Sequence, residues 1–307
     1  MYFYYNSFPQ NAGAWREALH ALIPELHFID SFERVAPSQV SYMLTWEPVK
    51  NIERFSGLRI VFSAGAGVDQ FELAEWPSAV SLVRMVEPSI AQSMAEYVVF
   101  AVLALHRNML AYRAAQANEQ WAPAKILPAA SRRVGIMGVG HLGRAALEKL
   151  KPFGYPLHGW NRSARTLEGV EMHTGEEALD GFLAQCDILV NLLPLTGQTR
   201  GIIDRALLAK LPAGAALVNV GRGAHVNEAD LLAALDSGHL AAAVLDVFQQ
   251  EPLPAGHPLW HHPRVWVTPH IASAMQVSGG ASVIAQSIRR DRAGEPLLHA
   301  VDRSRGY

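Results

Sequence analysis

The chain has 307 residues, half of them hydrophobic, and its 26 Lys and Arg against 28 Asp and Glu give a formal charge of −2. A chain of this length can bury two hydrophobic cores, so we expect two domains. The near-balanced charge argues against a nucleic-acid partner. The sequence has no run of eighteen apolar residues and no basic start like that of a signal peptide, so we expect a cytoplasmic protein without a membrane span.

The first 95 residues have the pattern of a small parallel α/β unit, in which short apolar strands alternate with helical stretches. The predicted strands are Met1–Tyr5, Leu26–Ile29, Tyr42–Trp46 and Arg59–Phe62. A loop of small residues, Gly65-Ala66-Gly67, follows the last of them. Its backbone amides can form an anion-binding concavity, and a plain tight turn is the alternative.

A long helix is predicted from Ser89, which follows Pro88 and is placed to act as its N-cap, to about Gln116. Its apolar residues cover more than one narrow stripe, and a tryptophan, Trp121, follows in a polar loop. Both features favour a surface that is covered by another protein chain. The alternative is a helix buried within its own domain. The apolar residues concerned are Val98, Val99, Val102, Leu103, Leu105 and Leu110.

A glycine-rich turn lies between a predicted strand, Arg133–Met137, and a stretch with helical periodicity, Arg144–Leu150. This strand, turn and helix context is what makes G-x-G-x-x-G a dinucleotide-binding fingerprint. The glycines allow the tight turn, let backbone approach the pyrophosphate and permit close helix packing, and the helix N-terminus offers N–H donors. The predicted cofactor-binding residues of this turn are Gly138, Val139, Gly140, His141, Leu142 and Gly143.

The next predicted strand, Pro156–Trp160, ends where an NAD-binding protein would carry an aspartate or glutamate for the adenosine ribose. Here it is followed by Asn161, Arg162 and Ser163, with Arg165 close behind. Two cations and a hydroxyl suit the 2′-phosphate of NADP, so we expect NADPH as the cofactor. A solvated basic turn is the alternative.

Three further apolar runs read as buried strands of a parallel sheet, and each precedes a charged or titratable residue: Arg222, Glu251 and His270. Ligands of open α/β sheets bind at the carboxyl ends of the strands, so we expect the three side chains to share one crevice. An arginine fork suits a carboxylate, and a histidine oriented by a carboxylate can protonate a carbonyl oxygen. Together they can bind a 2-oxo acid and protonate its carbonyl oxygen. Taken singly, each has an ordinary alternative as a solvated loop or turn residue.

A metal site is not expected. The conspicuous histidines His257, His261 and His262 lie in a Pro-rich loop, Pro254–Pro263, and lack the helical spacing that metal sites favour.

Taken together, the sequence resembles the D-isomer-specific 2-hydroxyacid dehydrogenase family over essentially the whole chain. The motifs that carry the resemblance are the glycine turn, Leu192–Thr196, Asn219–Gly223, Leu245–Leu253 and Thr268–His270. Trp46, the Asn161–Ser163 turn and the ending Val301–Tyr307 resemble one bacterial branch, which reduces glyoxylate and hydroxypyruvate with NADPH to D-2-hydroxy acids.

The resemblance implies a role for each motif residue. Arg222 would bind the substrate carboxylate and keto oxygen, His270 would donate the proton, and Glu251 would hydrogen-bond to His270. Asp246 would contact the nicotinamide carboxamide. The remaining implied contacts are Trp46 and the amides of Gly65, Ala66 and Gly67 for the substrate, and Leu193, Pro194, Val220 and Gly221 for the cofactor.

The resemblance also implies an arrangement of domains. A Rossmann-type doubly wound parallel sheet, residues 96–272, would bind NADP and would be inserted into a flavodoxin-like substrate domain made of residues 1–95 and 273–307. The family forms homodimers through the cofactor domain.

One departure leaves the identity of the 2-oxo acid open. Members of the branch can carry an arginine shortly after the catalytic histidine, whereas this chain reads Ile271–Gln276 without a cation, so a different 2-oxo acid is an alternative substrate. A dinucleotide-sensing regulatory module is the alternative from another functional class, and the lack of a charged docking segment argues against it. A methyltransferase also has a glycine loop after its first strand, but it would not need Arg162 or the later trio.

Overall fold

The computed structural model describes residues 1–65, 67–71 and 76–302. The chain divides into two compact units. Unit 1 consists of Met1–Ile90 and Met275–Tyr307, and unit 2 consists of Ala91–Ala274.

The elements follow one another in βα order, joined by loops and short 3₁₀ turns. The strands are β1 (Tyr2–Asn6), β2 (His27–Ile29), β3 (Val40–Thr45), β4 (Ile60–Ser63), β5 (Ser81–Val83), β6 (Val134–Met137), β7 (Leu157–Asn161), β8 (Glu171–Thr174), β9 (Ile188–Asn191), β10 (Ala215–Asn219), β11 (Leu240–Leu245) and β12 (Val265–Val267). The α-helices are α1 (Ala12–Leu22), α2 (Pro88–His106), α3 (Met109–Ala117), α4 (His141–Leu150), α5 (Leu179–Leu183), α6 (Arg205–Leu208), α7 (Glu228–Asp236) and α8 (Val277–Ala293).

Unit 1 is built on a parallel sheet with strand order β2-β1-β3-β4-β5, the order of flavodoxin-like folds. The four predicted strands are present with limits shifted by one or two residues. The predicted helical stretches between them are partly wrong, because only α1 is an α-helix and the others are single 3₁₀ turns, Pro37–Gln39 and Ile52–Arg54. Strand β5 was not predicted, because three residues are too few to show an alternation pattern.

Unit 2 is built on a parallel sheet with strand order β12-β11-β10-β9-β6-β7-β8. If the strands of unit 2 are numbered in chain order, with β6 as strand 1, the order from β8 to β12 is 3-2-1-4-5-6-7. This is the doubly wound order 3-2-1-4-5-6 with a seventh strand added. Every residue of β6, β9 and β10 is buried, which explains why these strands read as continuous apolar runs. The predicted fold class, α/β with a Rossmann-type sheet, is confirmed.

The long predicted helix is two helices. Pro88 takes the first helical position of α2, and Glu87 caps it by accepting a hydrogen bond from the Ser89 backbone N–H at 2.8 Å. The prediction of Ser89 as the N-cap is therefore wrong. So is the single helix to Gln116: α2 ends at His106, and Asn108 adopts a left-handed conformation (φ 57°) that α-helices exclude.

Helix α2 is long and apolar enough to cross a membrane, by length and composition only, and half of its apolar window is buried inside the protein. Val98 and Val102 are fully buried in one of the hydrophobic core clusters of unit 2. The alternative of a helix buried within its own domain therefore holds for the face of α2 that carries Val98 and Val102. Other apolar side chains of this region are exposed, namely Phe100, Met109, Trp121 and Ile126.

Candidate active site

The carboxyl ends of the unit 2 strands lie level along one edge of the sheet. Asn191, the last residue of β9, pairs in register with Met137 at the end of β6 and with Asn219 at the end of β10. Asn219 also pairs with Leu245, the last residue of β11. All the predicted catalytic and cofactor residues of unit 2 follow these ends. They are residues 138–143 after β6, the Asn161–Arg165 turn at the end of β7, residues 193–194 after β9, residues 220–222 after β10, Asp246 and Glu251 after β11, and His270 after β12.

The central feature of this edge is a histidine–carboxylate pair. The Nδ1 atom of His270 lies 2.7 Å from Oε2 of Glu251, and the other carboxylate oxygen accepts a hydrogen bond from the Phe248 backbone N–H at 2.9 Å. The His270 and Glu251 side chains remain 29% and 35% exposed, so a small molecule can reach them. His270 has a positive φ of 55°, held by its backbone N–H donating to the Asp246 carbonyl at 2.8 Å.

The Glu251 carboxyl is kept ionised by its surroundings. Partial burial alone would raise the pKa of Glu251, but the hydrogen bonds from His270 and the Phe248 N–H, with the positive charges of His270 and Arg222, outweigh burial and lower it. Glu251 is therefore an anion at neutral pH. It can orient the imidazole and stabilise its protonated form.

Asp246 anchors the segment that carries His270. Its carboxylate is almost fully buried and accepts hydrogen bonds from the Thr268 hydroxyl at 2.6 Å and from the backbone N–H groups of Ile271 and Ala272 at 2.9 and 2.8 Å. Burial raises the pKa of Asp246 even though these three hydrogen bonds lower it. The predicted contact with the nicotinamide stays a prediction. The observed contacts give the Asp246 side chain a structural role, because they hold Thr268 before His270 and the backbone of Ile271 and Ala272 after it.

Two residues that support this segment were missed by the sequence reasoning. The Tyr97 hydroxyl hydrogen-bonds to the Thr268 hydroxyl, which in turn donates to Asp246. Burial is the main reason that the pKa of Tyr97 rises to about 12, so the phenol stays protonated. Tyr97 lies on α2, far from the Thr-Pro-His string in sequence, and no local signal links them.

A buried polar network, also missed, holds the loop that carries Arg222. The Asn191 amide donates to Asn219 Oδ1 at 2.9 Å and lies 2.9 Å from His225 Nδ1, which also accepts from the Arg222 backbone N–H at 3.0 Å. Two donors at Nδ1 place the ring proton on Nε2, which faces the Pro194 carbonyl at 3.3 Å. The loops after β9 and β10 are thereby fixed to each other.

The three glycines of the G-x-G-x-x-G turn differ in whether the packing of the protein leaves room for a side chain. Gly138 has a positive φ of 94°, and a Cβ there would lie 2.6 Å from the Leu192 carbonyl oxygen. A Cβ at Gly143 would lie 2.2 Å from the Gly138 carbonyl oxygen. At Gly140 a Cβ would meet no atom within 4 Å, and its φ is −83°. The packing of the chain therefore explains Gly138 and Gly143, but not Gly140.

The turn after β7 presents an exposed cationic surface. Arg162 and Arg165 are both exposed, and Arg162 Nη1 donates to the Gln198 side-chain oxygen at 2.9 Å. The Asn161 amide donates to the Ser163 carbonyl at 3.2 Å and so shapes the turn.

The predicted substrate residues of unit 1 lie next to one another. A Cβ at Gly65 would approach the Trp46 ring to 2.9 Å, so this glycine lets the loop pack on the indole. The buried Ser63 hydroxyl donates to the Gly67 carbonyl at 2.8 Å. Ala66 lies outside the described residues.

The histidines of the Pro-rich loop have carboxylate neighbours. His257 Nε2 lies 3.3 Å from a Glu228 oxygen, and His262 Nε2 lies 3.3 Å from an Asp236 oxygen.

Known proteins are similar to this chain over nearly its whole length. Residues 99–272 match the family model described as D-isomer specific 2-hydroxyacid dehydrogenase, NAD binding domain. The chain is 42% identical to glyoxylate/hydroxypyruvate reductase A of Salmonella newport (strain SL254), with 99% of each chain covered.

Two solved structures are similar along the whole chain. One is a D-isomer specific 2-hydroxyacid dehydrogenase from Xanthobacter autotrophicus Py2 in complex with NADPH and MES, at 42% identity and a TM-score of 0.93, with 99% of each chain covered. The other is an NADPH-dependent glyoxylate/hydroxypyruvate reductase from Sinorhizobium meliloti in complex with NADP and sulfate, at 37% identity and a TM-score of 0.92, covering 100% of this chain and 99% of that one.

Proposed function

Because this chain belongs to the D-isomer specific 2-hydroxyacid dehydrogenase family, we propose that it is an NADPH-dependent reductase of small 2-oxo acids, glyoxylate and hydroxypyruvate among them. The observation that carries the proposal is the His270–Glu251 pair, 2.7 Å apart and accessible, at the same sheet edge as Arg222. The full-length relatives are reductases, which favours the enzyme over the regulatory-module alternative.

In the proposed reaction each member of the trio has one task. Arg222 neutralises the substrate carboxylate and polarises the keto oxygen. Glu251 accepts the Nδ1–H of His270, which leaves Nε2 as the nitrogen that donates a proton to that oxygen. Bound NADPH supplies the hydride to the carbonyl carbon, so one proton and one hydride convert the keto group to a hydroxyl.

The residues of unit 2 fit a dinucleotide. Gly140 precedes α4, where the protein's own packing leaves its backbone uncovered, so a phosphate can approach the helix N-terminus. We propose that residues 138–143 hold the pyrophosphate and that Asn161, Arg162, Ser163 and Arg165 hold the 2′-phosphate. Leu193, Pro194, Val220, Gly221 and Asp246 complete the proposed cofactor contacts. Units 1 and 2 are the proposed substrate and NADP-binding domains.

The glycines offer a matched test of that fit. We expect Gly140→Ala to leave the thermal unfolding temperature unchanged but to weaken NADPH binding, because its Cβ would occupy only the space proposed for the pyrophosphate. Gly143→Ala should lower the free energy of unfolding by about 1–3 kcal/mol, since its Cβ meets backbone. Calorimetry of both variants and NADPH titration of Gly140→Ala check this. Unchanged NADPH affinity in Gly140→Ala would contradict the assignment.

The cationic turn predicts the cofactor preference. Arg162→Ala should raise the KM for NADPH roughly ten- to a hundred-fold, the effect of losing a charge-assisted contact of about 1.5–3 kcal/mol, with little effect on NADH. Steady-state kinetics with both cofactors measure this. Arg205→Ala, which removes an exposed arginine on α6, is the control and should change neither KM. Equal losses with NADPH and NADH would contradict a 2′-phosphate site.

The ionised state of Glu251 predicts a change in the pH profile. Its lowered pKa means that it carries its charge throughout the neutral range, and Glu251→Gln removes that charge from beside the imidazole. The alkaline fall of the reduction rate should therefore move to lower pH, because the ring that donates the proton no longer faces an anion. Asp236→Asn, at the separate His262 pair, should leave the profile in place. An unmoved profile in Glu251→Gln would separate Glu251 from the proton donor.

The proposed substrate class is tested with a panel of 2-oxo acids and NADPH at fixed pH. Glyoxylate and hydroxypyruvate should be turned over, and simple aldehydes of similar size should be far poorer substrates, because they offer Arg222 no carboxylate. Because Ile271–Gln276 lacks the arginine that the reductase branch can carry shortly after the histidine, the panel should include larger 2-oxo acids and 2-oxo acids with an uncharged tail. Turnover of none of them would overturn the proposal.

We also propose a cytoplasmic homodimer formed through unit 2. The support is the group of exposed apolar side chains around α2 and α3, of which Trp121 is 98% and Ile126 70% exposed, a pattern typical of a covered surface. Sedimentation velocity should show twice the chain mass, and Trp121→Ser should shift the equilibrium toward monomer. A monomeric wild-type protein would contradict the dimer.

A further inference from the structure

Two histidines and a glutamate converge on one face of the unit 2 sheet, at strands distant from His270. We propose that His158, Glu171 and His173 form a binding site for one divalent transition-metal ion, of which Zn²⁺ is the best match. Imidazole nitrogens and a carboxylate oxygen are ordinary zinc ligands, and a three-ligand site leaves the fourth position for water.

Strand geometry explains why the three side chains meet. His158 lies on β7 and Glu171 on β8, and the two residues are paired in the parallel register of these strands. Side chains two residues apart on a strand share a face, so His173 points to the same side as Glu171. The cluster is therefore set by the regular backbone of the sheet and not by a loop.

The distances are close to those of a bound ion. His158 Nδ1 lies 3.6 Å from Glu171 Oε2, His173 Nε2 lies 3.7 Å from Glu171 Oε1, and the three ligand atoms all lie within 4.8 Å of one another. Zinc bonds of about 2.0–2.2 Å in a tetrahedron separate ligand atoms by roughly 3.3–3.5 Å. The two contacts to the carboxylate, each made by a different oxygen, thus need to shorten by a few tenths of an ångström, whereas ligand atoms as far as 4.8 Å apart would have to approach by roughly 1 Å.

Burial points to a ligand rather than to a simple ion pair. His158 is only 5% exposed, and among the residues that the structure describes neither its Nδ1 nor the buried Nε2 of His173 has a hydrogen-bond partner. A buried imidazole nitrogen without a partner is costly, and a metal ion would satisfy both at once.

The site is remote from the proposed chemistry. Strands β8 and β12 are the two edge strands of the sheet, so the cluster on β7 and β8 is separated from the strand before His270 by five to six strand spacings, roughly 24–29 Å. A metal here would link edge strand β8 to β7, three residues before the cationic turn begins at Asn161. We therefore expect an effect on stability and not on the chemical step.

The experiment uses the full chain without a histidine tag, stripped of metal by a chelator. Zn²⁺ alone is titrated by competition with a chromophoric chelator, and thermal unfolding is followed with and without one equivalent. The background is His270→Ala, so that the Glu251 pair does not bind the ion. We expect one Zn²⁺ per chain, a raised unfolding temperature, and at least tenfold weaker binding in both Glu171→Gln and His173→Gln.

Asp236→Asn, which alters another histidine–carboxylate pair, is the matched control and should bind Zn²⁺ as the parent does. Glu171 is two-thirds exposed, so Glu171→Gln is expected to fold normally. This variant therefore still tests the proposal if His173→Gln fails to fold. Failure of the parent to bind Zn²⁺, or equal binding and equal unfolding shifts in both Glu171→Gln and His173→Gln, would overturn the proposal.

Discussion

Replacing His270 with alanine should lower kcat for glyoxylate reduction by roughly two to four decades, the usual contribution of a positioned general acid. The reason is the hydrogen bond of 2.7 Å between Nδ1 and Glu251, which orients the ring and leaves Nε2 as the nitrogen proposed to donate the proton. The backbone N–H of His270 is held by Asp246 irrespective of the side chain, so the surrounding segment should keep its conformation. NADPH affinity should therefore stay unchanged, which fluorescence titration of the cofactor can measure.

The control for this variant is His262→Ala, which removes another histidine that lies beside a carboxylate on the surface of unit 2. It should retain wild-type kcat. A His270→Ala protein with more than a tenth of the wild-type kcat would remove His270 from the proton-transfer step, whatever its effect on KM.

Much of the proposed site could be predicted from sequence because parallel strands impose a simple rule. Their carboxyl ends lie at one edge, so residues just after buried apolar runs, such as Arg222 and His270, are brought to the same region by the topology alone. The glycine turn was predictable for a similar reason, since its strand, turn and helix context is local in the chain.

The supporting contacts could not be predicted in this way, because they join residues that are distant in sequence. Nothing near Thr268 indicates that Tyr97, on α2, hydrogen-bonds to it. The His158 cluster could not be predicted because its members lie on two strands whose register is a property of the folded sheet. The break at Asn108 was missed because asparagine is only weakly unfavourable within helices, so its left-handed conformation leaves little trace in the sequence pattern.

Some local predictions failed because of competition between neighbouring residues. Ser89 is a good N-cap by type, yet Pro88 before it is better suited to the first helical turn, so the helix begins at Pro88 and the cap lies two residues before Ser89, at Glu87. The Glu87 carboxylate accepts from the backbone N–H of Ser89, the second residue of the helix, as an N-cap side chain does. Helix limits are therefore the least predictable part of this fold, while the strand order is the most regular.

The second large effect is expected at Arg222, the cation proposed to bind the substrate carboxylate. Its backbone is fixed by His225, and its Nη1 donates to the Gly221 carbonyl at 2.9 Å, so the guanidinium is already oriented by the loop. Arg222→Ala should lower kcat/KM by roughly two to four decades, the effect of losing two charge-assisted hydrogen bonds of about 1.5–3 kcal/mol each. Arg222→Lys should recover only part of this, because an ammonium keeps the charge but not the bidentate fork.

Kinetics with glyoxylate and with an aldehyde of similar size distinguish a carboxylate contact from a general loss of structure. The loss in Arg222→Ala should be larger for glyoxylate than for the aldehyde, since both offer a carbonyl oxygen to the guanidinium but only glyoxylate also offers an anion. Arg205→Ala, at an exposed arginine on α6, should affect neither substrate. Full activity of Arg222→Lys, or a wild-type enzyme that reduces the aldehyde as well as glyoxylate, would show that no carboxylate is bound by this residue, and the substrate would then have to be sought outside the 2-oxo acids.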